Sequence, residues 1–452
     1  MNKVTLIGLY SHAHPEDISK DRINSTVSMI KKQGIEVNFL GSVRDHDDFL
    51  AGKIRKKLAD TIGNSCCIIL VYSGWSESTG ILNIITNYLH LPLIIWSLAG
   101  YKLKAGLIAP AAAAGASLLR NTLDSMNAKY RCIYDSIDSE ENIKDVIRYI
   151  DLFSSLREFR NTKIASIGYS CSNLYPFMYD GALIKAKTGI HVDNLELLEL
   201  KVLAEEMTEK ETGTFKKEFT EKYNPDKRLS SSEIDILSKY YIAALKLIEK
   251  NGYKGISIKC GSGPGKFLGF TPCMLLSLLG EKVNAICEGD VYGLLAQTII
   301  SRLTGLKPTF LEVFEFYKDS VLMASCGFTP FSLCKKDCIE IYQHDWDGCG
   351  GLMNISRLKT GEITIFNFFV RNGNLEMHVF LGEGNTPEKF QEEGWQEYKG
   401  PMIPALDISI DTSIDAFKDN IAGPHYLILH GNHIEIIENY CRFSGIEFKA
   451  FH

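Results

Sequence analysis

Two glutamates stand where an open α/β fold places its chemistry. Glu288 closes the apolar run VNAIC at the point where a helical pattern begins, and Glu312 lies within the next apolar strand, TFLEVF. In an open parallel sheet ligands bind beyond the carboxyl ends of the strands. One strand–helix–strand step separates the two acids, so both are expected on adjacent parallel strands facing one crevice. Each has a plainer reading, Glu288 paired with a nearby lysine and Glu312 turned to solvent. Two carboxylates buried together are costly unless a proton or cation sits between them, and the pairing points to a hard divalent metal with oxygen ligands. Asp290 is read as the N-cap of the helix that follows, where its side chain accepts from free amides.

The elements that would position these acids alternate. From Val4 to about Ile150, short apolar runs (VTLIGLY, VNFLG, CCIILVY, PLIIW) alternate with amphipathic stretches such as RINSTVSMIKKQG, which predicts a doubly wound parallel sheet. The helical stretch NIKDVIRYIDLFSSLREFRN then leads to a fresh strand, KIASIGY, giving a first domain over residues 1–160. A second α/β domain, 161–337, carries the strands YKGISIKC, KVNAICE and PTFLEVFEF. From about Cys338 the pattern has period two with turn residues between, and RLKTGEIT and VRNGNLEM read as hairpins. Residues 338–452 are therefore expected to form an antiparallel, barrel-like domain with one amphipathic helix at HIEIIENYCRFSG.

Bulk properties narrow the function classes. A formal charge of -6 with scattered Lys and Arg gives no footprint for nucleic acid. The start, MNKVTLIGLYSH, is too short in apolar length for a secretory signal, and no segment reaches a membrane span, so a cytoplasmic location is expected. Most of the 12 cysteines lie in apolar runs, as at Cys66, Cys67 and Cys287, where a thiol acts as a small hydrophobe. Cys334, Cys338 and Cys349 lack a CxxC pair and make a poor zinc site. GSGPGKF fails as a phosphate loop, with one residue too few between its glycines and Phe267 where Ser or Thr should meet magnesium.

Three stretches together resemble the L-fucose and L-arabinose isomerase family, in the same order and over the whole chain. ICEGDVYGLLAQTIISRLTG with PTFLEVFEF resembles its acidic metal-binding segment, preceded by IKCGSGPGKFLGFTPC with Lys259, Cys260, Pro272 and Cys273. GPHYLILHGNHIEIIENYCRFSGIEF resembles its C-terminal histidine segment. VYSGWSESTGILNIITNYLHLPLIIWSLAG resembles its first domain, whose tryptophan, here Trp75, tends to close the sugar pocket.

The resemblance implies a metal-dependent aldose–ketose isomerase with Glu288 and Glu312 as ligands that also move protons and His425 as third ligand. An ene-diol route needs a base to carry a proton from C2 to C1 and a Lewis acid at O1 and O2, which Mn2+, or Co2+ or Mg2+, would supply. Lys259 is either a contact to a sugar hydroxyl or a surface lysine, and Arg22 is a second, weaker candidate for the pocket. His430 and His433 read more simply as a strand residue and a helix cap. The resemblance also implies a homo-oligomer, trimer or hexamer, with shared sites. One departure stands out: Ser325-Cys326-Gly327 replaces the His-Cys-Gly common among relatives. That leaves open a three-ligand fucose type, a changed substrate contact, or an unusual aldose with an anionic substituent, such as sulfoquinovose. A non-catalytic sugar-binding or regulatory paralogue of the same fold is the alternative.

Overall fold

The apolar runs that open the chain have no polar face to show water and are buried in a parallel sheet. The computed structural model describes residues 2–104, 106–137, 142–171, 174–224, 227–260, 264–346, 349–388 and 403–451. The chain divides into two units, Met1–Glu158 and Phe159–His452. In the first, β1 (Lys3–Tyr10), α1 (Glu16–Lys32), β2 (Glu36–Arg44), α2 (Asp48–Thr61), β3 (Ile68–Tyr72), α3 (Ser78–Ile85) and β4 (Leu93–Ser97) alternate without interruption. A small ribbon of β5 (Tyr101–Leu103) and β6 (Gly106–Ile108) precedes α4 (Ala112–Ser125), β7 (Tyr130–Tyr134) and α5 (Ile143–Phe159). The sheet order is β2-β1-β3-β4-β7 with every pairing parallel. β3 and β4 are buried at every position, and Ile81, Ile84, Leu119 and Leu123 of α3 and α4 pack against one face.

The second unit begins with another parallel layer. It contains β8 (Lys163–Ile167), α6 (Gly181–Thr188), β9 (His191–Leu195), α7 (Leu197–Glu205), α8 (Glu209–Tyr223), α9 (Ser231–Asn251) and β10 (Gly255–Ile258). α10 (Pro264–Leu268), α11 (Cys273–Leu279), β11 (Asn284–Cys287) and α12 (Val291–Thr304) follow. The order β11-β10-β8-β9 is again wholly parallel.

The remaining strands are β12 (Thr309–Phe316), β13 (Val321–Ala324), β14 (Ile341–Trp346), β15 (Cys349–Asn354), β16 (Gly361–Arg371), β17 (Asn374–Asn385), β18 (Ala405–Ile410), β19 (His425–His430) and β20 (Glu447–Phe451), with α13 (Ile414–Asn420) and α14 (Ile434–Ser444). The sequence β16-β19-β12-β13-β18-β17 closes through a β16–β17 pairing into a six-stranded antiparallel barrel, and β20 adds to β17 in parallel. Inward residues such as Leu311, Met323, Ile365, Phe380 and Tyr426 fill it. Two parallel α/β regions followed by an antiparallel barrel is the expected architecture. Among the described residues, no helix is long and apolar enough to cross a membrane.

Two local expectations are corrected. TFLEVF does not join the parallel sheet beside β11: as β12 it pairs antiparallel with β13 and β19. A tight turn, in which Tyr317 N donates to Ser320 O at 2.9 Å, folds β12 back on β13 and satisfies its edge locally. RLKTGEIT is not a hairpin either, since β15 pairs with β14 in a separate ribbon and β16 pairs with β17 and β19. VRNGNLEM does form one: Asn372 and Gly373, at φ 51° and 76°, bridge Arg371 and Asn374. Both central residues in the left-handed region match the right-handed twist of the flanking strands. Gly373→Val should therefore destabilise the protein by roughly 1–2 kcal/mol, read as a lowered urea midpoint. An unchanged midpoint would show that the turn does not hold the register.

Candidate functional site

Glu288 leaves the end of β11 in the left-handed region at φ 63°, and Gly289 continues there at φ 69°. A side chain on Gly289 would put its Cβ 2.1 Å from the Tyr169 carbonyl, so only glycine fits this turn. The double left-handed step turns the Glu288 side chain out of strand direction, a conformation that costs energy and is typical of functional positions. Asp290 follows directly and begins α12, its Oδ1 accepting from Gly293 N at 2.9 Å, which is the expected cap.

The barrel supplies the other two groups through register. Glu312 of β12 stands opposite His425 of β19 in an antiparallel pair, which sets the two side chains on the same face. His425 is 1 % exposed, and Asn367 Nδ2 donates to its carbonyl at 2.9 Å. The Phe177 ring stacks on the imidazole at 4.2 Å and Phe310 meets it edge-on at 4.5 Å. Its Nδ1 lies 2.9 Å from Asp290 Oδ2 and its Nε2 3.4 Å from Glu288 Oε2. Asp290 thus does two jobs, one oxygen capping the helix and the other orienting the ring.

One ligand atom from each of Glu288, Glu312 and His425 lies within 4.8 Å of the others. A divalent ion bound at about 2.1 Å to each donor needs them about 3.0–3.5 Å apart, which the Nε2–Oε2 separation meets. The half-buried Glu312 carboxylate makes no hydrogen bond among the described residues, and a cation would give it the partner it lacks. An imidazole oriented by a carboxylate behind it is also the usual arrangement of a metal-binding histidine. The donor set therefore fits the ion.

Charge is unbalanced in the bare site. Burial pushes the Glu312 carboxyl up to about 7, with Cys326 and Glu288 adding to it against the pull of His425. Burial alone would lower His425, but its contacts with Asp290 and Glu288 outweigh that and raise it to about 9. Cys326 lies against Cys273 and Cys287, whose thiols hold it well below the ordinary thiol range.

Of the residues named from sequence, the structure gathers Glu288, Glu312 and His425 and sets Lys259 at the end of β10, the strand beside β11. Trp75 and Arg22 belong to the first unit. Trp75, half-buried after β3, donates its backbone N–H to Pro110 O at 2.7 Å, and Arg22 reaches the Ser73 and Ala99 carbonyls and lies over the Tyr101 ring at 4.9 Å. His430 and His433 stay out of the cluster, His433 Nε2 lying 2.8 Å from the His430 carbonyl. Ser325 is buried and donates its hydroxyl to Phe328 O at 2.7 Å, so it is engaged in holding its own turn. Among the described residues no metal-capable group includes a cysteine, Cys334 instead making a hydrogen bond to Pro330 O. The phosphate-loop stretch falls partly outside the described residues. Sequence reading missed the second role of Asp290 and the flanking Phe177 and Phe310. The Asp-x-x-Gly cap was visible, but nothing local announces an imidazole 135 residues away.

No family model matches the chain. Two curated relatives do. A sulfoquinovose isomerase of Clostridium sp. (strain MSTE9) is 21% identical over 350 residues, covering 75% of this chain and 76% of that one. A sulfoquinovose isomerase of Alkalicoccus urumqiensis is 21% identical over 351 residues, covering 76% of each. A solved periplasmic binding protein of an arabinose ABC transporter from Shewanella sp. ANA-3 aligns at 12% identity over 67% of this chain and 86% of its own, with a TM-score of 0.17, too low to bear on the fold. The chain is a distant homologue of the sulfoquinovose isomerases.

The site's charge imbalance has a measurable consequence for the metal-free protein. Glu312 and His425 both bind protons more tightly folded than unfolded, between 4.5 and about 7 and between 6.5 and about 9 respectively. Stability should then fall as pH rises through both windows. The thermal midpoint of chelated protein should decline from about pH 5 to about pH 9, and Glu312→Gln should flatten the lower half of that decline. Parallel profiles for the variant and parent would refute the burial of a proton-holding Glu312.

Proposed function

We propose that this chain is a metal-dependent aldose–ketose isomerase working through an ene-diol intermediate, with an aldose bearing an anionic group, sulfoquinovose, as its substrate. The observation that carries the reading is the convergence of Glu288, Glu312 and His425 from two different sheets on one point. The names of the two curated relatives support the substrate class.

Glu288, Glu312 and His425 would hold a divalent ion, Mn2+ in the first instance and otherwise Co2+ or Mg2+. Such an ion, when bound, would supply Lewis-acid stabilisation of negative charge developing on the substrate's oxygens. The chain's own carboxylates move the protons. Glu312 takes the proton from C2 as the C1 carbonyl becomes the ene-diol and returns it to C1. Glu288, with a side chain 21 % exposed, accepts the O2 proton and delivers it to O1, so the carbonyl moves to C2 with no net gain or loss. His425 stays fixed by Asp290 and by Phe177, which excludes water from one face of the ring. Lys259, Trp75 and Arg22 are assigned to the sugar, and a homo-oligomer, trimer or hexamer, with shared sites is part of the same proposal.

Assayed against a panel of aldoses including sulfoquinovose, the protein should form ketose, lose activity on chelation and recover it with manganese, and sediment as the oligomer when active. Undiminished turnover without metal would overturn the mechanism. Sugar binding without turnover of any aldose would replace it with a non-catalytic paralogue.

The ligand assignment has its own test. Asn caps a helix about as well as Asp, so Asp290→Asn should keep the fold and weaken metal binding by about 10–100-fold. His425→Ala should weaken it further, whereas His430→Ala and His433→Ala should titrate like the parent. Equal metal affinity of His425→Ala and the parent would sink the assignment.

A further inference from the structure

The first unit gathers a second set of metal donors at the carboxyl edge of its own sheet. β1, β2 and β3 end side by side, and the loops that leave them carry His12, then Asp45 and His46, then Glu77. Asp45 is fixed first: its N–H donates to Tyr10 O at 3.1 Å, and its side chain is fully buried. Its Oδ1 accepts from His12 N at 2.5 Å and its Oδ2 lies 2.9 Å from His12 Nδ1. His46 follows in the left-handed region at φ 60°, held there by Glu77, whose Oε1 accepts from His46 N at 3.4 Å and whose Oε2 lies 3.3 Å from His46 Nδ1. The two imidazole rings lie with centroids 5.7 Å apart and planes tilted by 53°. One donor atom from each of His12, Asp45 and His46 lies within 4.8 Å of the others. Beside them, between Val43, Asp45, His46, Ser76 and Glu77, is a cavity of about 10 Å³, room for a single water-sized occupant.

We propose that His12, Asp45 and His46 form a second metal site, for a borderline divalent ion such as Zn2+. The donor set decides the ion: two imidazole nitrogens and one carboxylate select zinc-like cations, whereas two carboxylates and one imidazole in the second unit suit harder ones. The 2.9 Å between His12 Nδ1 and Asp45 Oδ2 is a hydrogen-bonded contact that an ion with bonds of about 2.0–2.2 Å would replace, the two donors moving apart to about 3.0–3.5 Å. Glu77 stands behind His46 as a carboxylate stands behind a metal-binding histidine, leaving Nε2 for the ion. His12 and His46 are 60 % and 61 % exposed in their side chains, so the site is open to solution and keeps positions for water or a further ligand. It clips the loops after β1 and β2 together at the sheet's functional edge. This proposal does not rest on the isomerase reading.

The test uses the full chain with Zn2+ alone as the probe. In a Glu288→Gln, Glu312→Gln background, which disables the site of the second unit, zinc equilibrium dialysis should still show about one equivalent bound per chain. Adding His12→Ala and His46→Ala should abolish it. Both side chains are largely exposed, so folding should persist by circular dichroism, and Asp45→Asn provides a second route to the same loss. Co2+ substituted at the site should give a visible absorption band that disappears with the histidines. No zinc bound in the background variant, or binding that survives the loss of both histidines, would overturn the proposal.

Discussion

Glu288, Glu312 and His425 share a space where none can be fully hydrated, and their charges must be balanced there. Water would stabilise each ion; burial withdraws it, and like-charged carboxylates then oppose each other in a medium that screens poorly. The bare protein answers with protons, which is why burial lifts the Glu312 carboxyl and why His425, held by Asp290 and Glu288, keeps its charge far above the ordinary imidazole range. A divalent cation answers the same demand with two charges at one point. Proton and cation compete for the same carboxylates, so a site built this way couples metal affinity to pH.

Meeting that demand needs parts of two sheets. The parallel layer contributes Glu288 from a strand end, where a glycine that tolerates no Cβ lets the chain turn sharply before α12. The barrel contributes Glu312 and His425 as a cross-strand pair, whose spacing is set by the β12–β19 register and by nothing in either residue. Asp290 ties the two together, with one oxygen on its own helix and the other on the barrel's imidazole. The same carboxylate therefore stabilises a fold element and aims a functional group, and at 1 % exposure it is shielded from water.

Much of the architecture was legible because it follows from periodicity. The wholly buried runs IILVY and LIIWS, separated by amphipathic stretches, specify parallel strands with helices between, and the Asn-Gly at 372–373 specifies a hairpin through its backbone requirement alone. The strand TFLEVF misled for an equally physical reason. A helix followed by a strand says that the strand will pair, not with which sheet, and here its neighbours are β13 and β19. RLKTGEIT failed similarly, since a turn between two period-two runs does not say whether they pair with each other. In the site, the acids and the histidine were readable by residue type and by resemblance, while Phe177 and Phe310 were not, because an aromatic that will stack on an imidazole looks in sequence like any core residue.

The departure at Ser325 acquires a structural meaning. Where the resemblance led to the expectation of a histidine, the Ser325 hydroxyl is consumed inside its own turn, with the Ser325 amide donating to Pro404 O and the side chain to Phe328 O. Gly327 follows in the left-handed region at φ 103°, with Met353 filling the space a side chain would need. The turn is a tightly packed, internally bonded corner. If the cation is held by three protein groups only, more of its coordination sphere is left to substrate and water, and a substrate with more oxygen donors or an added negative charge gains correspondingly.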